Sequence, residues 1–213
     1  VRIIVESRSP INISPALEQA DDLLRQSGVE GNASGARQSP LDFIVERLRF
    51  YAGTAGGIKR DDVISAVLTS ENILRLSFGD LMDRMNTLEA VTTKPEFDPL
   101  IIGFKRAHRL CEKETWDRKP VDPALFTHEA EGDLYRASLK ASGQVKACME
   151  QGDYSAALDL LVRMKEPIDA FFTGVMVNVE DSAVRANRLT LLRDVDELFL
   201  TFADFSQIVV QGQ

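Results

Sequence analysis

From Pro40 onward the apolar residues recur at spacings of three and four, and no stretch alternates apolar with polar long enough to make a half-buried strand. That periodicity restricts the chain to helices packed through apolar stripes. In "SPLDFIVERLRFYAGTAGG", Ser39 caps, Pro40 opens the first turn and Asp42 follows within it. Leu41, Ile44, Val45, Leu48 and Tyr51 then form the stripe, which stops at Gly53, Gly56 and Gly57. Further amphipathic segments are predicted at 60–69, 72–91, 95–115, 129–150, 153–176 and 181–209, separated by turns containing Gly or Pro. "GVMVNV" is the single β-branched run, and at helical spacing it continues "EPIDAFF". A lone strand there would have nothing to pair with. The expected fold is all-α, an antiparallel bundle of about six or seven helices.

Before Pro40, "SPALEQADDLLRQSG" reads as a short helix with Ser14 as cap and Gly28 at its end, and "VEGNASGARQ" as a linker. The expected organisation is the end of a preceding domain and a short helix over residues 1–30, a linker over 31–39, and a helical domain over 40–213. The opening "VRIIVES" enters mid-pattern with no cap, as a piece of a longer polypeptide would. "GDYSAALDLL" resembles a tetratricopeptide helix start, but the motif does not return about 34 residues later, so a solenoid is not expected.

The segment "AVRANRLTLLRDVDELFLTF" sets a specific problem. Arg188 lies four residues after Val184 and is followed at helical spacing by Leu191, Leu192 and Val195, so it sits within the apolar stripe. A buried guanidinium needs a partner. Pairing with a carboxylate of a neighbouring helix is the expected arrangement, with an RNA phosphate or base edge as the alternative. Arg185 and Asn187 flank the stripe and can reach a ligand from the helix start.

Catalytic constellations are missing from the sequence. His108 and His128 lie in no metal-ligand spacing, and "GTAGGIKRDD" lacks the order of a phosphate loop and follows no strand. Cys111 and Cys148 are far apart and are read as reduced buried thiols. The acids of "KRDDVI" and "NVEDSA" fall at expected helix starts, where they favour the macrodipole. No apolar run approaches the ~20 residues of a membrane span. With no basic, apolar leader either, a cytoplasmic location is expected.

The net charge of -8 argues against a general nucleic-acid coat, because such coats rely on excess cations. It leaves room for a local basic face. In "PLIIGFKRAHRLCEKE", the residues Phe97, Leu100, Ile101, Phe104, Ala107 and Cys111 form the buried stripe. Lys105, Arg109 and Lys113 recur on another face beside Arg106, and Arg118 and Lys119 follow. This is the densest positive cluster in the chain and suits phosphate contacts. A second candidate combines Phe43, Arg47 and Phe50 on one helix face. Those side chains suit stacking on unpaired bases, although the two aromatic rings are expected chiefly to widen the core contact.

In order along residues 41–209, "LDFIVERLRFY", "GFKRAHRL", "VDPALF", "GDYSAALDLL", "PIDAFFTGVMVNVEDSAVRANRLTLL" and "LFLTFADFSQI" resemble the C-terminal part of the bacterial glycyl-tRNA synthetase β subunit. That part is a helical anticodon-binding domain similar in fold to that of arginyl-tRNA synthetases. The resemblance implies recognition of the tRNA-Gly anticodon by a piece that performs no chemistry itself. It further implies a two-subunit class II enzyme, an α2β2 assembly in which the α subunit aminoacylates with ATP and magnesium. It offers Lys105, Arg106, Arg185, Asn187 and Arg188 as candidate RNA contacts, to which the charge pattern adds Arg109 and Arg47. The competing expectation is a helical interaction module that docks on other synthetase domains or another partner, marked by a contiguous exposed apolar patch.

Overall fold

The computed structural model describes residues 1–8, 13–26 and 40–210, and every regular element among them is helical. The expected linker at 31–39 lies outside the described residues. The chain divides into two compact units, Val1–Glu89 and Ala90–Gln213.

The first unit carries α1 (Arg2–Glu6), α2 (Ile13–Gln26), α3 (Pro40–Gly53), α4 (Asp61–Val67), α5 (Ser70–Arg75) and most of α6 (Phe78–Val91). Leu48, Ala52, Ile58, Val63, Phe78, Leu81, Met85 and Leu88 fill its core. Asp61 and Asp62 occupy the first turn of α4, as the charge pattern predicts. The segment expected to be one helix over 72–91 is broken instead. Ser77 accepts from the Asp80 N–H, while the Asp80 carboxylate accepts from the Ser77 N–H and hydroxyl, so a fresh helix start interrupts the run. The tight turn after α3 uses Gly57 at φ +78°, in the left-handed region.

The second unit contains α7 (Phe97–Lys113), a 3₁₀ turn at Pro123–Leu125, α8 (Glu129–Glu150), α9 (Tyr154–Val162), α10 (Lys165–Gly174), α11 (Ser182–Leu200) and a 3₁₀ turn at Phe205–Gln207. α11 packs on α7 and α8, and α10 fits against the same two helices. The predicted stripe of α7 is buried from Phe97 to Ala107, with Cys111 half-buried. At the far end of α11 the rings of Phe104, Phe199 and Phe205 gather with centroids 5.1–5.9 Å apart, and Phe202 joins them. That cluster turns the end of the chain back onto α7, so α11 stops at Leu200 rather than running to 209.

The helix expected over 153–176 is two helices. Pro167 lacks an N–H, and its ring would clash with the carbonyl four residues back, so α10 starts anew at Lys165 with the proline in its first turn. "GVMVNV" does not continue α10. Val175 leaves in extended conformation (φ -119°, ψ 121°), with Val175 and Val177 buried and Met176 74% exposed. An extended segment without a neighbouring strand must find acceptors and donors elsewhere.

α7 and α10 approach through Gly103, where an added Cβ would lie 2.9 Å from the Ile168 Cγ2. Ile168 is fully packed and stiff at χ1, so it cannot move aside cheaply. Gly103→Val is expected to separate the two helices and lower stability by ~1–3 kcal/mol, read as a fall in thermal midpoint with helicity retained.

Candidate nucleic-acid interface

One end of the second unit is assembled from loops, and α11 holds them. Asp181 caps the helix by accepting from the Ala183 and Val184 N–H groups. Two turns after that cap, the Arg188 Nε donates to Glu131 Oε1 at 2.6 Å, Nη1 to the Met176 carbonyl at 2.8 Å and Nη2 to Thr127 Oγ1 at 2.7 Å. Glu131 comes from α8, and its second oxygen accepts from the Thr127 and His128 N–H groups at 2.7 and 2.8 Å. Both side chains are buried. Burial alone would raise the Glu131 carboxyl, but Arg188 and the two backbone donors outweigh it and hold the group below the ordinary glutamate value. The expected buried pairing of Arg188 is thus the arrangement found.

Its neighbours complete the fastening. Asn187 accepts from the Asp122 N–H at 2.8 Å and returns its amide N–H to the Asp122 carbonyl at 3.0 Å, as a paired strand would. Thr190 accepts from the Trp116 indole N–H at 3.0 Å. His128 caps α8 by accepting from the Ala130 N–H, and its ring fills the space a side chain at Gly174 would need.

The cationic candidates divide by environment. Arg106 and Arg109 are exposed and Lys105 is half-buried on α7, and none has a carboxylate partner among the described residues. The Arg106 guanidinium lies 4.2 Å from the Phe172 ring centroid of α10, beside a shallow groove shared with Leu110 and residues 175–178. Arg185 is half-buried and lines a second groove of about 620 Å³ with Trp116, Lys119 and Asp122. Asn187 and Arg188 are buried, their polar atoms occupied by protein groups, which leaves them as organisers of the loops. Arg47 lies in the first unit, 5.2 Å from the Phe43 ring. Phe43 and Phe50 are 52% and 69% exposed, so they do not widen the core as the spacing suggested.

His108 points inward. Its Nδ1 lies 2.8 Å from the Asp196 carboxylate and its ring stacks on Phe104. Burial raises the Asp196 carboxyl, and the bond to His108 offsets part of that rise. Burial, with Asp196 nearby, pushes the Cys111 thiol up to about 12, so it is a poor nucleophile. Among the described residues, no group of three or more His, Cys, Asp or Glu side chains is placed to hold a metal ion, and no helix is long and apolar enough to cross a membrane. Trp116, Phe172 and Met176 were not singled out from sequence. The only available signal was the position of the one tryptophan between basic residues.

Residues 100–204 match the model of the DALR anticodon binding domain. This segment belongs to the DALR anticodon binding domain family. The DALR domain holds the loop-built end and all of Lys105, Arg106, Arg109, Arg185, Asn187 and Arg188, whereas Arg47 precedes it. Beyond the DALR segment, the whole chain is 33% identical over 215 residues to the glycine-tRNA ligase beta subunit of Syntrophus aciditrophicus, of which it covers 30%. It is 33% identical over 217 residues to that of Acidobacterium capsulatum, covering 98% of the chain and 30% of the relative. For Citrifermentans bemidjiense the figure is 39% over 164 residues, 76% of this chain and 23% of the relative. The chain therefore spans about 30% of the length of these relatives.

Arg188→Ala in the DALR domain leaves Glu131 charged, buried and short of a donor, and is expected to cost ~3–5 kcal/mol in chemical denaturation. The folded Glu131 value is depressed, so the stabilisation is complete above the unfolded glutamate value of about 4.3 and disappears as pH falls through the lower folded value. Thermal midpoints measured down a pH series should converge for wild type and Glu131→Gln on the acid side, with the variant lower at neutral pH.

Proposed function

We propose that this chain recognises the anticodon of a glycine-accepting tRNA as part of a glycine-tRNA ligase beta subunit, and that it performs no aminoacylation itself. The match of residues 100–204 to an anticodon binding domain carries this reading, and the names of the full-length relatives supply the amino acid. The electrostatics support it. In a chain of net charge -8, Lys105, Arg106 and Arg109 stand on one helix without carboxylate partners among the described residues. Cations without carboxylate partners are available to phosphates, and release of the RNA's counterions then drives association.

In this reading the whole enzyme works in the cytoplasm with ATP and magnesium, and a separate α subunit in an α2β2 assembly holds the reacting glycine. No residue of this chain is assigned to that chemistry. Lys105, Arg106, Arg109 and Arg185 are the proposed RNA contacts, and Asn187 and Arg188 act by positioning the loops. A second reading, contact with other domains of a longer protein, is favoured in the first unit. There Phe43, Ile44, Arg47, Phe50 and Tyr51 line an open groove of about 570 Å³ on α3.

Titration with labelled tRNA-Gly at low salt should give binding that weakens as salt rises and is reduced for a tRNA carrying an exchanged anticodon. Equal binding of the two tRNAs contradicts anticodon reading. Arg106→Ala should weaken binding with little change in thermal midpoint, and lower the slope of log K against log salt by about 0.7 for one lost phosphate contact.

A further inference from the structure

The larger groove of the second unit is not explained by the basic face of α7. It lies between the loop after α7, from Thr115 to Asp122, and the first turns of α11, and measures about 620 Å³. Pockets for small organic groups run from about 300 to 1,000 Å³. Its walls are held rather than loose, because the Trp116 indole N–H is tied to Thr190 and both polar atoms of the Asn187 amide are tied to the Asp122 backbone. The rotation that would let the ring drop into the groove is therefore restrained, and a preformed site costs less to fill.

The lining chemistry selects among RNA groups. Lys119 and Arg185 share the lining with Asp117 and Asp122, so cations and carboxylates balance. Lys119 is bonded to Asp117 at 2.9 Å, and Asp122 accepts from the Ala124 N–H, which leaves Arg185 as the cation with no carboxylate partner among the described residues. With its cations matched by carboxylates, the lining offers a phosphate no net charge. An aromatic wall next to mixed donors and acceptors suits a neutral planar ring with a polar edge, and in RNA that is a base. A base in a duplex cannot leave its stack to enter such a groove without unpairing.

We propose that the groove between the 115–122 loop and the start of α11 takes one unstacked nucleobase, which lies against Trp116 and turns its polar edge to Arg185. The proposal rests on the RNA-binding function above and assigns to Trp116 and Arg185 a base contact that the α7 cations do not make. Trp116 is the sole tryptophan, so indole fluorescence reports on this groove alone.

The test follows one titration by two signals, anisotropy of a labelled tRNA-Gly anticodon stem-loop and indole fluorescence of the protein. The expected result is quenching with the same midpoint as the anisotropy change, and no quenching by a blunt RNA duplex that binds through its backbone. Trp116→Ala should weaken stem-loop binding about 5- to 150-fold, the range for losing one base stacked on an aromatic side chain. Trp116→Phe should keep most of the affinity, which separates stacking from misfolding. Stem-loop binding with unchanged indole fluorescence, or equal quenching by the duplex, overturns the base pocket and leaves the RNA-binding function standing. Absence of any anisotropy change at low salt overturns both.

Discussion

The buried pair of Arg188 and Glu131 is the interaction on which the loop-built end depends. Taking a guanidinium and a carboxylate out of water costs several kcal/mol for each ion, and their attraction repays this only when the remaining donors and acceptors are also satisfied. Here they are. Arg188 uses Nε, Nη1 and Nη2 on three different acceptors, and Glu131 divides its oxygens between the arginine and two backbone donors. Thr127, His128, Met176 and α11 are thereby fixed to one another. An apolar pair of equal volume would fill the same space and leave those backbone groups without partners.

Division of labour along a single helix follows from this. Asn187, Arg188 and Thr190 face three loops and spend their polar atoms on them. Arg185, less than one turn earlier, stays clear of those bonds and lines the groove. α7 is divided in a similar way, with His108 turned into the core toward Asp196 and Arg106 and Arg109 turned outward. Several acids near the loop-built end are engaged within the protein and do not face the cations of α7: Glu131 below the surface, Asp117 with Lys119, and Asp181 on a helix cap.

Much of the fold was legible because helical periodicity reports directly on which side of a segment is buried. The stripes of α7 and α11 follow the spacing, and Arg188 was recognisable as a charge inside one of them. Breaks within helical runs were harder to see. The Ser77–Asp80 capping pair and Pro167 each carried a readable stop signal that the continuing apolar period obscured. The extended path after Gly174 had a local signal in the β-branched run, but a run without a partner strand argued against it, and what stabilises it is a side chain from another helix. The same limit explains the site. Periodicity placed Arg106 on an outer face, but the meeting of Arg106 with Phe172, or of Trp116 with Thr190, is a property of two elements that are distant in sequence.

Residues 175–178 show what this mode of support permits. Arg188 grips the Met176 carbonyl, while the Met176 side chain stands 74% exposed between the buried Val175 and Val177. The bond to the main chain is indifferent to what position 176 carries. That position is a display site on a fixed backbone, where side chains can be exchanged to alter what the neighbouring Arg106 groove touches without loosening the scaffold that holds it.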